Sequence, residues 1–315
     1  MRILVPLNTL AEHIKRSNVP DDEVAVYDPA ATYTRGQGDA IGDLAVEGDT
    51  VYEYVGLEPV SGLAPSEGER QVPKQWIVHR TTNPTAMWNG IIGDATKSAA
   101  PWFEGEGRGI QFEIELGRRA GGVAFFGLRN VDSIRVEMID PREGVVFDET
   151  RSMRSRRGIN SYWSWFFEPI ERRVDAIFDK LPPYAAKLRI SLQAAGDQAA
   201  ECGACLIGPV RQYGFIEWKS GGKVLSFTEA TRTRGGRLEL RRGESVKAGS
   251  FRVSMRGDES DAIIKRLTDI EGLRVVFMGT DMYETALIYG IYEGLTFVYE
   301  NKAFHNYSME VLGLT

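Results

Sequence analysis

The sequence predicts a mainly β, multidomain protein. It divides into a small β module with its linker over residues 1–75, a jelly-roll β-sandwich over 76–210, and a C-terminal α+β domain over 211–315 carrying one amphipathic helix. Three observations predict this. First, Ile110, Phe112, Ile114 and Leu116 alternate with Gln111, Glu113 and Glu115. Successive strand side chains point to opposite faces, so this stretch has one apolar and one wet side. Second, short β-rich runs recur between Gly, Pro and Asp turns, the punctuation of an all-β fold. Third, Ser260 to Gly272 carries helical spacing, with Ala262, Ile263, Ile264, Leu267 and Ile270 on one side and Asp258 or Ser260 as cap.

Size and composition fit that class. At 315 residues the chain exceeds a usual single domain. Hydrophobic residues make up 43% and charged residues 26%, which is ordinary globular composition. A net charge of -6 argues against a nucleic-acid surface, which needs a positive field. No apolar run approaches the roughly 20 residues that span a bilayer, so no membrane span is expected. Met1 to Pro6 is too short in apolar residues for a secretion signal, and synthesis in a bacterial-type cytoplasm is expected.

In the first segment, Val24–Tyr27, Val51–Val55 and the Gly and Asp turns between them read as short strands. So small a module needs a neighbour or a staple, and no disulfide or evident metal is present. Pro59, Gly62, Pro65, Ser66, Gly68 and Pro73 mark residues 59–75 as a linker. In the second segment, strands are predicted at Gly109–Gly117, Gly122–Leu128, Ser133–Ile139, Val174–Phe178 and Ala186–Leu192. The basic run Arg151 to Arg157 reads as a solvated loop, or as a contact with an acidic neighbour subunit or lipid phosphate. The aromatic run Ser161 to Phe167 has three readings: core filling, a subunit interface through Tyr162, Trp163, Trp165 and Phe166, or a saccharide platform. In the third segment, Phe215 to Lys219 is extended, a strand pair flanks Arg234 to Arg237, and strands return at Arg274–Met278, Ala286–Gly294 and Tyr307–Leu312.

Three resemblances follow from particular residues. Asp28, Tyr33, Gly38-Asp39, Val51-Tyr52 and Trp76 follow the order of small chitin-binding-type carbohydrate-binding modules, which the first segment resembles. Asn83-Pro84-Thr85-Ala86-Met87-Trp88-Asn89-Gly90, the turn Gly93-Asp94-Ala95-Thr96 and the strand from Gly109 make the second segment resemble a galactose-binding-like jelly roll. That resemblance implies sugar or calcium binding at loops on one end. No dense Asp/Asn loop fixes a calcium position, and Asp94 alone is a poor candidate. The ending Phe304 to Leu314 has the form Tyr-x-Met-x-Val-x-Gly, and with the three-part organisation it resembles tail and baseplate proteins of tailed bacteriophages or prophages.

Catalytic motifs do not surface. Gly-x-Ser-x-Gly elbows, Walker loops and His-Glu-x-x-His pairs are missing from the sequence. Gly105 to Gly109 is glycine-rich but precedes a strand, where it cannot cradle phosphate at a helix start. Asp140, Glu143, Asp148 and Glu149 read as solvated acids beside a hairpin, although glycoside hydrolysis also needs paired carboxylates. Cys202 and Cys205 form a CxxC pair without two further soft ligands nearby, so they read as buried thiols. His13, His79 and His305 are scattered.

The expectation is therefore a non-enzymatic virion structural protein of a phage tail tip or baseplate, without cofactor or metal. It would form a homo-oligomeric ring with other tail or baseplate proteins as partners. The alternative is an adhesin for a host surface glycan. Tyr33, Tyr52, Tyr54, Trp76, Trp88 and Trp102 are its candidate stacking residues.

Overall fold

A computed structural model describes residues 1–7, 13–38, 40–155, 161–167, 171–218, 220–232, 237–241, 243, 245–280 and 284–314, with Ser164, Glu239 and Glu284 as backbone alone. Strands dominate, as the sequence predicts, and the described residues hold three short α-helices. Asp39, Arg156, Arg157, Arg234 to Gly236 and Asp281, which figure in the sequence reading, lie outside the described residues.

The chain packs in layers. The outermost is a five-stranded antiparallel sheet ordered Gly144–Ser152, Val131–Asp140, Lys187–Ala194, Gly109–Ile114, Ile14–Ser17. Beneath it lies a three-stranded sheet ordered Ala176–Phe178, Gly122–Phe126, Ala204–Gly208. Ile110, Phe112 and Ile114 from the first sheet meet Val123 and Phe125 from the second in one buried core. This is the sandwich that the alternation at 110–116 predicts, but its polar side is not wet there: Gln111 and Glu113 are buried, bonded to Ser191 and to Lys187 and Arg189.

The second sheet is buried on its other face too. Ala124, Phe126, Ala204 and Leu206 pack against Leu4, Val276, Met278, Leu287 and Tyr289 of an eight-stranded sheet. That longer sheet runs Val210–Gln212, Arg2–Leu4, Val275–Met278, Leu287–Val298, Phe304–Gly313, Ser245–Arg256, Phe215–Ile216, with Gly221–Ser226 also pairing Ser245–Arg256. Its opposite face, including Ile3, Val275, Phe277 and Ile288, receives Ile263 and Leu267 of the helix Ser260–Asp269 and Ile270 that follows it. Strict alternation thus sends Ile3 and Leu4 into different cores. A strand covered on both sides needs apolar residues throughout, which is why Val275–Met278 reads Val-Val-Phe-Met.

The connectivity is nested. The chain starts in the long sheet, enters the sandwich at Ile14–Ser17, and only then builds the small sheet Leu44–Glu47, Thr50–Tyr54, Trp76–Thr81. Leu44–Glu47 and Thr50–Tyr54 join through Gly48-Asp49, where Gly48 at φ 62° takes the left-handed conformation that a tight hairpin requires. The chain then completes the sandwich and returns to the long sheet.

Several sequence expectations need correcting. Trp76–Thr81 pairs with Thr50–Tyr54, so the small module extends past residue 75 and Trp76 belongs to it, not to the sandwich. Residues 59–75 are not a free linker. Val60 bridges Tyr33, Pro65–Glu69 is a short helix, and a Cβ on Gly68 would stand 2.4 Å from Trp76. Glycine is there for close packing. The helix at 260 is capped by neither predicted side chain. Glu259 occupies the cap position without a side-chain bond, Ser260 donates back to the Gly257 carbonyl at 2.9 Å, and Asp258 pairs with Arg256. Phe215 to Lys219 is not one extended run, because the strand ends at Ile216 and the chain turns at Trp218.

Candidate functional site

The six predicted stacking residues do not assemble into one surface. Tyr33, Tyr52, Tyr54 and Trp76 form the buried core of the small module. Tyr33 and Tyr54 meet the Trp76 ring edge-on at centroid distances of 5.0 and 5.1 Å. A ring that stacks on a sugar must offer a face to solvent, and Trp76 is 0% exposed. With no disulfide or metal to hold so small a unit, its largest side chains turn inward. Trp88 is half-buried, edge-on to Phe112 at 5.0 Å, and belongs to the sandwich core. Trp102 is half-buried in the turn that leads to Gly109, its amide bonded to the Gly107 carbonyl at 3.0 Å.

The Asn83 loop and Asp94 are structural clamps. Asp94 accepts from the amide and hydroxyl of Thr81 and from the Asn89 side chain, all at 3.2 Å. This ties the last strand of the small sheet to the sandwich. Asn83 donates to the carbonyls of Pro20 and Lys97 and accepts from the Lys97 amide.

The acids considered for hydrolysis are each held separately. Asp140 caps its own turn through the amides of Arg142 and Glu143, and Glu143 accepts from the Tyr184 hydroxyl at 2.8 Å. Asp148 accepts two bonds from Arg135, and Glu149 pairs with Arg151. His79 sits 3.5 Å from Glu53 in the small module, His13 lies beside the sandwich edge, and His305 packs on Tyr299. The three imidazoles thus lie in three different parts of the fold. Among the described residues, no group of three His, Cys, Asp or Glu is placed to hold a metal. Cys202 and Cys205 are buried in the sandwich. Burial pushes the Cys202 thiol up to about 12 and raises that of Cys205 as well, so neither is a nucleophile near neutrality.

What stands out instead is apolar surface. Arg154 and Arg172 bridge each other, the Ser155 amide donates to the Glu171 carbonyl, and the Arg173 amide donates to the Met153 carbonyl, both at 2.8 Å. These bonds make a narrow neck. Beyond it, Tyr162–Phe167 is a six-residue helix of aromatic residues around Ser164. Tyr162 pairs with Phe166 at 4.7 Å and Trp163 with Phe167 at 4.8 Å, the one-turn spacing that steadies a short helix. Tyr162, Trp163, Trp165, Phe166 and Phe167 are 58–77% exposed. They do not fill the sandwich core, which corrects that reading. At the neck, Arg154 holds Asp132 at 2.7 and 3.0 Å.

Two hollows were not visible in the sequence. An apolar recess of about 400 Å³ is lined by Phe215, Ile216, Trp218, Phe251, Ala286 and Ile288, among others. Phe215 is 65% and Trp218 87% exposed at its rim. The only signal was the aromatic density of Phe215 to Trp218, and reading it as one strand concealed the turn. A more polar cleft of about 670 Å³ lies between sandwich and long sheet, where Lys247 pairs with Asp175 beside Arg129 and Tyr289. Those residues come from distant stretches of chain and carry no common motif. Next to that cleft, which Thr228 and Gly243 line, the hairpin Glu229–Arg232 with Leu238–Arg241 leaves Leu238 and Leu240 exposed.

Compared with known protein families, with curated proteins and with solved structures, the chain matches none of them.

Proposed function

We propose that this chain is a structural protein of a bacteriophage or prophage tail, at the tip or baseplate, that acts by fitting surfaces together. Copies assemble as a closed ring and present the β modules outward. The observation that carries the reading is the aromatic helix on its neck. Five large rings exposed together exceed the scattered apolar exposure of an ordinary monomer surface. Covering them releases ordered water and stabilises an assembly, since aromatic residues dominate interface energetics. The nested fold supports the same reading, because the three-stranded sheet is covered on both faces and the sandwich and the long sheet pack against each other through it.

The test is mass in solution by light scattering, together with immunogold location on purified tail particles. The expected result is a defined oligomer and a label at one end of the tail. A strict monomer that never co-purifies with particles overturns the proposal.

A further inference from the structure

We propose that the aromatic helix Tyr162–Phe167 of one copy seats in the apolar recess at Phe215 and Trp218 of the next. The inference rests on the self-assembly part of the preceding reading and names the contact that would make it.

The first argument is shape. A helix apolar on one side is covered by a flat neighbour, but this one carries aromatic rings all round and projects from a neck. Such a knob needs a socket. The recess of about 400 Å³, with Phe251, Ala286 and Ile288 at its base and Phe215 and Trp218 at its rim, is apolar and open to solvent.

The second argument is area. Five rings exposed by 58–77% present on the order of 500–800 Å², taking about 150–250 Å² for each aromatic side chain. A standard stable interface buries about 800 Å² on each partner, so the knob supplies most of one once the recess takes one or two of its rings and the surface around the recess covers the rest.

The third argument is charge. Residues 151–173 hold six arginines, at 151, 154, 156, 157, 172 and 173, against Glu168 and Glu171, a balance of +4 in a chain whose net charge is -6. Asp132 offsets part of this by pairing with Arg154 and Arg172, and Glu149 another part by pairing with Arg151. Glu217 lines the recess, and Glu293 and Glu310 line the hollow that adjoins it at Gly221 and Gly222. Lys223 is the one cation among the described residues that line the two hollows. A basic knob and an acidic rim attract, which orients the encounter.

Knob and socket are different surfaces, so the contact is heterologous and leaves one of each free at the ends of any open chain. A rotation that closes makes a ring.

The experiment uses two variants of the full chain. One is the knob double variant Trp163→Ser/Phe167→Ser. The other is the socket variant Phe215→Arg, which sets a cation against the basic knob. All three side chains are more than half exposed, so circular dichroism and a cooperative thermal transition should be retained and confirm folding, with only the stabilisation due to assembly lost. The wild type is expected as an oligomer and each variant alone as a monomer. Self-association should weaken by about a hundredfold or more, since buried aromatic anchors dominate interface energy. Mixing the two variants should give a one-to-one heterodimer and nothing larger, because each lends the half that the other lacks. If the wild type is oligomeric and either variant keeps its full mass, this contact is wrong while self-assembly stands. If the knob variant alone becomes monomeric, the knob has another socket and the inference fails. If the wild type is monomeric and floats with anionic vesicles, the knob belongs in lipid, and both this contact and the self-assembly reading fail.

Discussion

Glu113 shows how one residue can be forced to be charged inside a sheet. Its side chain lies on the outer face of the five-stranded sheet, where Lys187 donates to it at 2.9 Å and Arg189 at 2.8 Å. Burial alone would raise its pKa. The two bonds and two positive charges outweigh that and hold the carboxyl below its ordinary value of 4.5. A lowered folded pKa means that the unfolded chain binds the proton first as pH falls. The stabilisation is therefore complete above about pH 4.5 and is lost as pH drops through the lowered value. Glu113→Gln should cost about 1–2 kcal/mol at pH 7, because Lys187 loses its partner and Arg189 keeps only the longer contacts to Glu104 and Glu137. It should also flatten the acid limb of the stability curve, read as urea midpoint against pH. Parallel curves for variant and wild type would refute this account. The thiols make a second test. Native protein at pH 8 should react with no equivalent of a thiol reagent within minutes, and unfolded protein with two; one fast native thiol would contradict the burial of Cys202 and Cys205. At this scale the sequence was legible where period decides, as at Ile110, Phe112 and Ile114. It was not legible for Tyr33, Tyr54 and Trp76. The same ring serves a core or a platform, and only the surrounding chain decides which.

At the scale of elements, the aromatic loop is attached to the sandwich without belonging to it. Its neck is made by backbone bonds at Met153, Ser155, Glu171 and Arg173, and its rings face outward. Replacing residues 156–170 with a short Gly/Ser linker should leave stability within about 0.5 kcal/mol, as for other surface changes. A loss above about 2 kcal/mol on chemical denaturation would place the helix in the core after all. The long periodic strands and the helix Ser260–Asp269 were readable because burial imposes their spacing. The helix Tyr162–Phe167 was not, since aromatic residues favour strands and its apolar residues show no one-sided stripe. The helix Pro65–Glu69 was hidden in the same way, because Pro, Gly and Ser look like a linker whether they bend freely or, as at Gly68, let an indole come close.

For the whole molecule, the stack of layers makes Arg2–Leu4 a shared part. Ile3 faces the core beneath the helix and Leu4 the core against the sandwich, and both are 0% exposed. Leu4→Ala and Ile3→Ala should each cost about 2–5 kcal/mol. Their effects should add, because the two side chains share no apolar neighbours. A coupling above about 1 kcal/mol in the double variant would mean that the two cores are not separate. The layered architecture itself was only half legible. Each strand announced its apolar faces, but that the chain's first strand would sit between Val210–Gln212 and Val275–Met278 left no local mark. That placement bears on how the protein is made. Arg2–Leu4 precedes both of its partners in the chain, so it leaves the ribosome with open hydrogen-bonding edges and stays unpaired until Val210–Gln212 and then Val275–Met278 have followed it. The sandwich strands can condense in that interval, and closure of the long sheet follows them.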